Sequence, residues 1–137
     1  MQTLRQIPGI GLLTSTALVA ATGNPQRFAS GRRFASWLGL TPREYSSGNT
    51  RYLGRISKQG DRYLRMLLTH GARSVLLRAK TLQRQAKALS PLQHWACQLE
   101  QRVGHNKATC AIANKLARIA WAVWTRQQAF EPNHQAA

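Results

Sequence analysis

Apolar residues recur every three or four positions through the second half of the chain, and this spacing restricts the fold more than any other sequence feature. Such spacing puts apolar side chains on one face of an α-helix, whereas a half-buried strand alternates every second residue. A strong helix is predicted from Asp61, with an apolar face formed by Tyr63, Leu64, Leu67, Leu68, Val75 and Leu76. Another side of this helix carries Arg62, Arg65 and Arg73.

Capping residues divide the rest of this half into two further helices. Ser90 and Pro91 are typical of an N-cap and a first helical position, so a helix is predicted to about Val103. Gly104 interrupts it, and a last helix is expected over 107–128. Its apolar positions are Ile112, Leu116, Ile119 and Val123.

Shorter elements precede Asp61. Residues 1–23 predict a short helix, a Pro-Gly turn and a second helix that ends near Gly23. Ser30 is expected to cap a helix that buries Phe34, Trp37 and Leu38 and projects Arg32 and Arg33. Residues 39–59 contain four Gly or Pro and several small polar residues, which predicts a loop.

Together these elements predict an all-α fold: a compact helical domain over residues 1–128, followed by a disordered tail over 129–137. The domain would begin with a helix-hairpin-helix-like motif and carry a basic, serine-bearing loop. The predicted core consists of Trp37, Leu64, Leu67, Leu68, Ile112, Leu116 and Ile119.

The charge of the chain points to a polyanionic partner. Twenty Lys and Arg against four Asp and Glu give a formal charge of +16, and the 43% hydrophobic content argues against a disordered basic tail. Nucleic acid is the leading partner; a membrane is not expected, because the charge is spread along the chain and no apolar run is long enough to span one. Two cysteines are too few for a disulfide framework, so a reduced cytoplasm is expected.

One basic segment is richest in candidate phosphate contacts. The expected contacts are Arg51, Arg55, Lys58, Arg62 and Arg65. Gly54 and Gly60 argue against a continuous helix before residue 61, so this segment is interpreted as a flexible basic arm that leads into a helix. Because almost no acidic residue is interspersed, a phosphate track is favoured over an ordinary solvated face.

The turn Ile7-Pro8-Gly9-Ile10-Gly11 resembles a helix-hairpin-helix module. In that reading Gly9 and Gly11 let the backbone approach a phosphate, and the amides that begin the next helix point at the anion. The alternative is an ordinary turn between two packed helices. Surrounding positive charge favours DNA contact.

Ser46 and Ser47 precede Gly48 within the basic segment, and they are the candidate nucleophiles. A serine hydroxyl needs a base, a metal or a field of cations to become a good nucleophile. The four acidic residues are isolated along the sequence, so the chain cannot form the converging carboxylates of a two-metal nuclease. The pairs His94/Cys97 and His105/Cys110 match no common zinc spacing, so no metal site is expected.

An ordered set of motifs resembles the C-terminal domain of the IS-one-ten type transposases, including the IS-eleven-eleven subgroup. In order, the motifs are P-G-I-G, G-x-x-x-x-F, "WLGLTP", S-G, "G-x-I-S-K-x-G-D-x-Y-L-R" and the closing "NKATCAIANKLARIAWAVW". The resemblance covers nearly the whole chain, and the combination is far more specific than any single motif.

This resemblance implies half of a DNA recombinase. The family's nucleophilic serine falls on Ser47, with Ser46 as the close alternative, and it forms a transient phosphoserine link to DNA. A RuvC-like N-terminal half with an acidic DEDD tetrad would hold magnesium, and a guide (bridge) RNA and homo-oligomerisation are further implications. That acidic half is absent here, so a separated domain or a truncated product that does not transpose autonomously is expected, on the bacterial nucleoid.

Two other functions fit the residues. One is a helix-hairpin-helix DNA-binding module without chemistry, and the other is a basic helical protein that binds structured RNA.

Overall fold

The computed structural model describes residues 2–47, 50–127, 130 and 132, and for residues 2, 44–47 and 50–53 it describes the backbone alone. A 3₁₀ turn at Pro25–Arg27 and a two-stranded antiparallel sheet accompany the six helices of these ranges. In chain order the helices and strands are α1 (Gln2–Arg5), α2 (Leu12–Thr22), α3 (Gly31–Trp37), β1 (Pro42–Ser47), β2 (Thr50–Ile56), α4 (Arg62–Arg84), α5 (Pro91–Val103) and α6 (His105–Arg126).

Helix α6 lies at the centre of the fold and packs against α3, α4 and α5. Small side chains line much of its buried surface, and they let the neighbouring helices approach closely. The larger buried residues of this helix are Ile112 and Leu116, both without solvent exposure. The small ones are Ala108, Ala113, Ala117 and Ala120. The all-α prediction is confirmed, since the small sheet is the only departure from it among the described residues.

The predicted helix starts are confirmed by their caps. Ser30 accepts a hydrogen bond from the Arg33 amide at 3.2 Å, and Asp61 accepts one from the Leu64 amide at 3.0 Å. Ser90 forms a complete capping box with Gln93, in which each side chain binds the other residue's amide. These caps satisfy amides that the first turn of a helix leaves without an intrahelical acceptor.

The predicted core is correct in outline. Leu64, Leu68, Ile112 and Leu116 are buried, whereas Leu67, Trp37 and Ile119 are only partly buried. Tyr63 was expected on the apolar face of α4, but it is 48% exposed, so that prediction is wrong. The reason is geometric: Leu64, Leu68, Val75 and Leu76 already cover the side of α4 that meets the other helices.

The loop predicted over 39–59 is wrong, because β1 and β2 form an antiparallel hairpin there. This hairpin is called the ribbon below. Its sequence carries a recognised hairpin signal, since two short runs that contain Tyr45 and Tyr52 are separated by Gly48-Asn49. The loop prediction rested on the glycines, prolines and small polar residues alone and did not use that signal.

The end of the chain follows the prediction only in part. Helix α6 ends at Arg126, two residues before the predicted 128, and it begins at His105. The disordered tail falls mainly outside the described residues and stays a prediction. Within it, Phe130 packs partly against the core, and its amide donates to the Gln6 side-chain oxygen at 3.2 Å.

Candidate nucleic-acid interface

The ribbon begins at a tight backbone junction with the helical domain. The Ser57 amide donates to the Thr41 carbonyl and the Lys58 amide to the Gly39 carbonyl, each at 3.0 Å. Gly39 has a φ of 78°, and a Cβ there would lie 2.8 Å from the Gln59 nitrogen. A side chain at residue 39 would therefore break the junction, which holds the base of the ribbon against α3 and α4.

Both candidate serines lie at the other end of the ribbon. Ser46 pairs with Arg51 in the strand register, and Ser47, the last residue of β1, pairs with Thr50. Five steps of extended chain, roughly 17 Å, separate Pro42 at the junction from Ser47. Because neither strand packs extensively against a helix, this end of β1 is carried away from the helical core.

A shift in register marks the base of the ribbon. It falls between the Glu44–Leu53 and Pro42–Ile56 pairs, so β2 has one extra residue there. Arg55 lies in this bulge. Bulges increase the local twist of a ribbon and redirect the side chains beside it. Arg55 is thus set at the point where the ribbon turns out of the helical domain.

The predicted phosphate contacts share this part of the molecule. Arg55 and Lys58 are exposed beside the junction, and Arg62 is exposed in the first turn of α4. Arg65 is half-buried, and its Nη1 is buried without a hydrogen-bond partner among the described residues. The side chain of Arg51 lies outside the described residues.

Two of the four acidic side chains lie among the described residues, and both are engaged within the helical domain. Asp61 caps α4, and Glu100 binds Lys80 at 3.3 Å and His105 at 3.0 Å. In the part of the chain that the structure describes, these are the ion pairs; the side chain of Glu44, which belongs to β1, lies outside the described residues. No helix of the described residues combines the length and the apolar character that a bilayer crossing requires.

The two glycines of the first turn differ in their surroundings. Gly9 has a φ of 85°, and a Cβ on it would lie 2.8 Å from the carbonyl oxygen of Gly71 in α4. Gly11 caps α2, and a Cβ there would meet nothing within 4 Å. A helix, a turn and a second helix follow one another as predicted. The backbone that Gly9 approaches closely is that of α4. Phosphate contact by either glycine stays a prediction.

Arg27 is a further candidate anion contact, which was not among the residues predicted from the sequence. Its guanidinium lies 4.8 Å from the ring centroid of Phe28 and 4.9 Å from that of Trp37. Stacking of this kind restricts the side chain and leaves the edge of the guanidinium available to an anion. The sequence does place Arg27 directly before Phe28, and this pair could have indicated a stacked arginine in a segment that was predicted to be only a connector.

The described residues contain no group of three or more His, Cys, Asp or Glu side chains that could hold a metal ion. Cys97 is buried, and burial, aided by nearby Glu100, raises the pKa of its thiol, so it behaves as a packing residue. Among the described residues, no set of side chains fits a magnesium ion.

The family model described as "Transposase IS116/IS110/IS902 family" matches residues 1–89. This stretch runs from the first helix through the ribbon and α4, and it includes every predicted site residue.

Three relatives extend the similarity to α5 and α6. A "Probable family 20 transposase" of Pseudomonas aeruginosa is 42% identical over 96% of this chain and 37% of its own length. The "Transposase for insertion sequence element IS1111A" of Coxiella burnetii is 41% identical over 94% of this chain and 34% of its own length. The "Transposase for insertion sequence element IS1328" of Yersinia enterocolitica is 41% identical over 94% of this chain and 37% of its own length.

The chain thus spans about a third of the length of these curated relatives. A match over residues 1–89, together with this identity across nearly the whole chain, establishes that the chain belongs to the IS116/IS110/IS902 transposase family.

Proposed function

We propose that this chain is the serine-bearing, DNA-binding part of an insertion-sequence recombinase. Family membership supports the general activity. The observation that carries the specific role is the position of Ser47, which ends β1 at the far end of a ribbon whose base is flanked by Arg55, Lys58 and Arg62.

In this proposal the ribbon delivers serine to a DNA phosphate. The Ser47 oxygen attacks phosphorus and forms a P–O bond while its proton passes to a base; the bond to one deoxyribose oxygen breaks, and that oxygen takes up a proton and becomes the free hydroxyl end of the cleaved strand. The phosphodiester energy is kept in the phosphoserine link, so a second strand can displace the serine later. Arginines near the base of the ribbon hold phosphates further along the same strand and thereby fix its position on the protein.

The chain requires a partner for this chemistry. Its described acids are occupied as a helix cap and an ion pair, and the described residues form no metal site. We therefore assign the base, and any magnesium, to a RuvC-like partner half. In the same proposal, the assembled recombinase contains a guide RNA and several copies of this chain. It acts on the bacterial nucleoid.

A reconstitution tests the nucleophile. The chain is combined with a RuvC-like N-terminal half, guide RNA, magnesium and cognate DNA, and a covalent protein–DNA adduct is sought on a denaturing gel. Ser47→Ala should abolish the adduct and leave DNA affinity unchanged, because the basic residues are intact. The matched variant Ser46→Ala should retain the adduct.

Two results would change the assignment. An adduct that survives Ser47→Ala but is lost in Ser46→Ala would move the nucleophile by one residue. No adduct with both serines present, although the partner half binds, would favour the second candidate function, a DNA-binding module without chemistry. The exposed basic residues around the ribbon favour that function equally. Competition between duplex DNA and structured RNA distinguishes these two DNA-binding functions from the binding of structured RNA.

A further inference from the structure

A second group of cations lies where the start of α3 packs on α6, and it consists of Arg32, Lys115 and Arg118, here called the α3–α6 cluster. A Cβ at Gly31 would lie 3.2 Å from the carbonyl oxygen of Arg118 and 3.3 Å from its Cα and Cβ. The α3 backbone therefore rests directly on Arg118, and Arg32 is the next residue along. Two further contacts hold this segment on α6: Asn114 donates to the Leu40 carbonyl at 3.0 Å, and Trp121 donates to the Pro25 carbonyl at 2.9 Å.

Arg118 is half-buried with hydrogen-bonding capacity left over. Its Nε is buried and donates to no acceptor among the described residues. Burial, and then the charge of Arg32, lowers the pKa of the Arg118 guanidinium. Burial and the charge of Arg118 likewise lower the pKa of Lys115, whose ammonium lies 4.4 Å from the Trp95 ring centroid. Lys115 and Arg118 are thus partly buried positive groups one turn apart on α6, and the exposed Arg32 follows the residue that packs on Arg118.

The described residues supply no negative charge to this cluster. Asp61 caps α4, and Glu100 is paired with Lys80 and His105. Partly burying like charges without a counterion is unfavourable, and an anion bound beside them would offset that cost. Arg27 and Arg33 are exposed on the same segment, which extends the positive surface.

We propose that Arg32 and Arg118, with Lys115 beside them, form a second phosphate-binding site for a nucleic-acid backbone, separate from the ribbon. This inference rests on the proposed nucleic-acid function. A phosphate fits better than a single carboxylate because two guanidinium groups offer several donors and two charges to one anion. The domain would then hold backbone at two places, one at the ribbon and one at α3–α6.

Thermal unfolding in phosphate tests the site without DNA. The full chain is melted in potassium phosphate and in potassium chloride at equal ionic strength. Phosphate should raise the wild-type Tm by roughly 3 °C, since a ligand that binds only the folded state stabilises it. Arg118→Met keeps the aliphatic stem and should lose this rise, with a chloride Tm at or above wild type.

Two further variants complete the design. Arg32→Gln, at an exposed residue that carries no folding risk, should also lose the phosphate response. Arg78→Met removes one exposed charge from α4, a helix that contributes no residue to the cluster, and should retain the phosphate response. A phosphate response that persists in both Arg118→Met and Arg32→Gln would overturn the site.

Binding of a 30-base-pair DNA duplex and of a structured RNA, each over a range of salt, identifies the source of the phosphate. Loss of one phosphate contact reduces the slope of log K against log salt by about 1. Arg32→Gln should show this reduction with DNA, with RNA or with both, and Arg78→Met should not. An unchanged slope with both nucleic acids overturns the inference, as does polyglutamate that stabilises the chain as strongly as phosphate.

The two proposals fail in different ways. A wild-type chain that binds no DNA removes the proposed function. The phosphate-dependent Tm still reports on Arg32 and Arg118 in that case.

Discussion

Gly9 and Gly11 belong to one turn, but the packing gives them different roles. Gly9 and Gly71 face each other so closely that a Cβ on Gly71 would collide with the Gly9 carbonyl oxygen. That contact joins the first turn to α4, and it explains why both positions are glycine. Gly11 has an ordinary φ of −97° and free space around it, so its backbone is the one available to a phosphate.

Substitutions at residues 71 and 11 separate packing from binding. Gly71→Ala should lower the free energy of unfolding by about 2 kcal/mol, because backbone must move to admit the methyl group. Gly11→Ala should cost at most about 1 kcal/mol, while DNA affinity should fall if this amide end approaches phosphate. Urea titrations and duplex binding measure the two effects. Unchanged affinity in folded Gly11→Ala would make the motif an ordinary turn.

At the scale of elements, a single carboxylate connects three helices. Glu100 of α5 accepts a hydrogen bond from His105 Nδ1 at the start of α6, and it binds Lys80 of α4. The hydrogen bond from His105 is the main cause that lowers the pKa of Glu100; Lys80 adds to it, and burial opposes it. This contact secures the ends of helices that otherwise meet through apolar side chains.

The sign of this pKa shift gives a pH dependence. A carboxyl with a lowered pKa stabilises the fold above its unfolded value, about 4.3, and loses that contribution as pH falls through its folded pKa. Glu100→Gln should therefore lower the free energy of unfolding by about 0.5 kcal/mol at pH 7, and the difference should vanish in acid. Thermal melts between pH 3 and 7, with Gln98→Ala as an exposed control on α5, measure this. A difference that is constant with pH would contradict the ion-pair role.

At the scale of the whole molecule, charge is distributed unevenly between the core and the surface. A core of aliphatic and alanine side chains carries a surface with a formal charge of +16, and the two described acids are already engaged. Such a molecule is held together by apolar burial and repels itself electrostatically, so binding to a polyanion should relieve the repulsion.

This charge predicts the salt dependence of DNA binding. If about five phosphates are neutralised, log K should fall with log salt at a slope of roughly −4 to −5. Binding should discriminate weakly between sequences, because backbone contacts carry no base information. Fluorescence anisotropy on two unrelated duplexes between 50 and 300 mM salt measures both properties. A flat response would contradict an electrostatic interface.

The sequence by itself determined the helices, their caps and the high positive charge from which a polyanionic partner is proposed. Ser30, Asp61 and Ser90 act within one turn of the chain, and the spacing of Ile112 and Leu116 is a local property of a helix, so these features can be predicted. The ribbon could also have been predicted from Gly48-Asn49 between two short strand-like runs, but the loop prediction used only the glycines, prolines and small polar residues.

Only the tertiary structure decided which distant residues meet. Nothing near Gly9 in sequence indicates Gly71, and nothing near Arg32 indicates Arg118. Likewise, the exposure of Tyr63 depends on which side of α4 the other helices cover. Such contacts arise because close packing selects one arrangement of the helices among many with compatible local patterns, and local spacing carries no information about that choice.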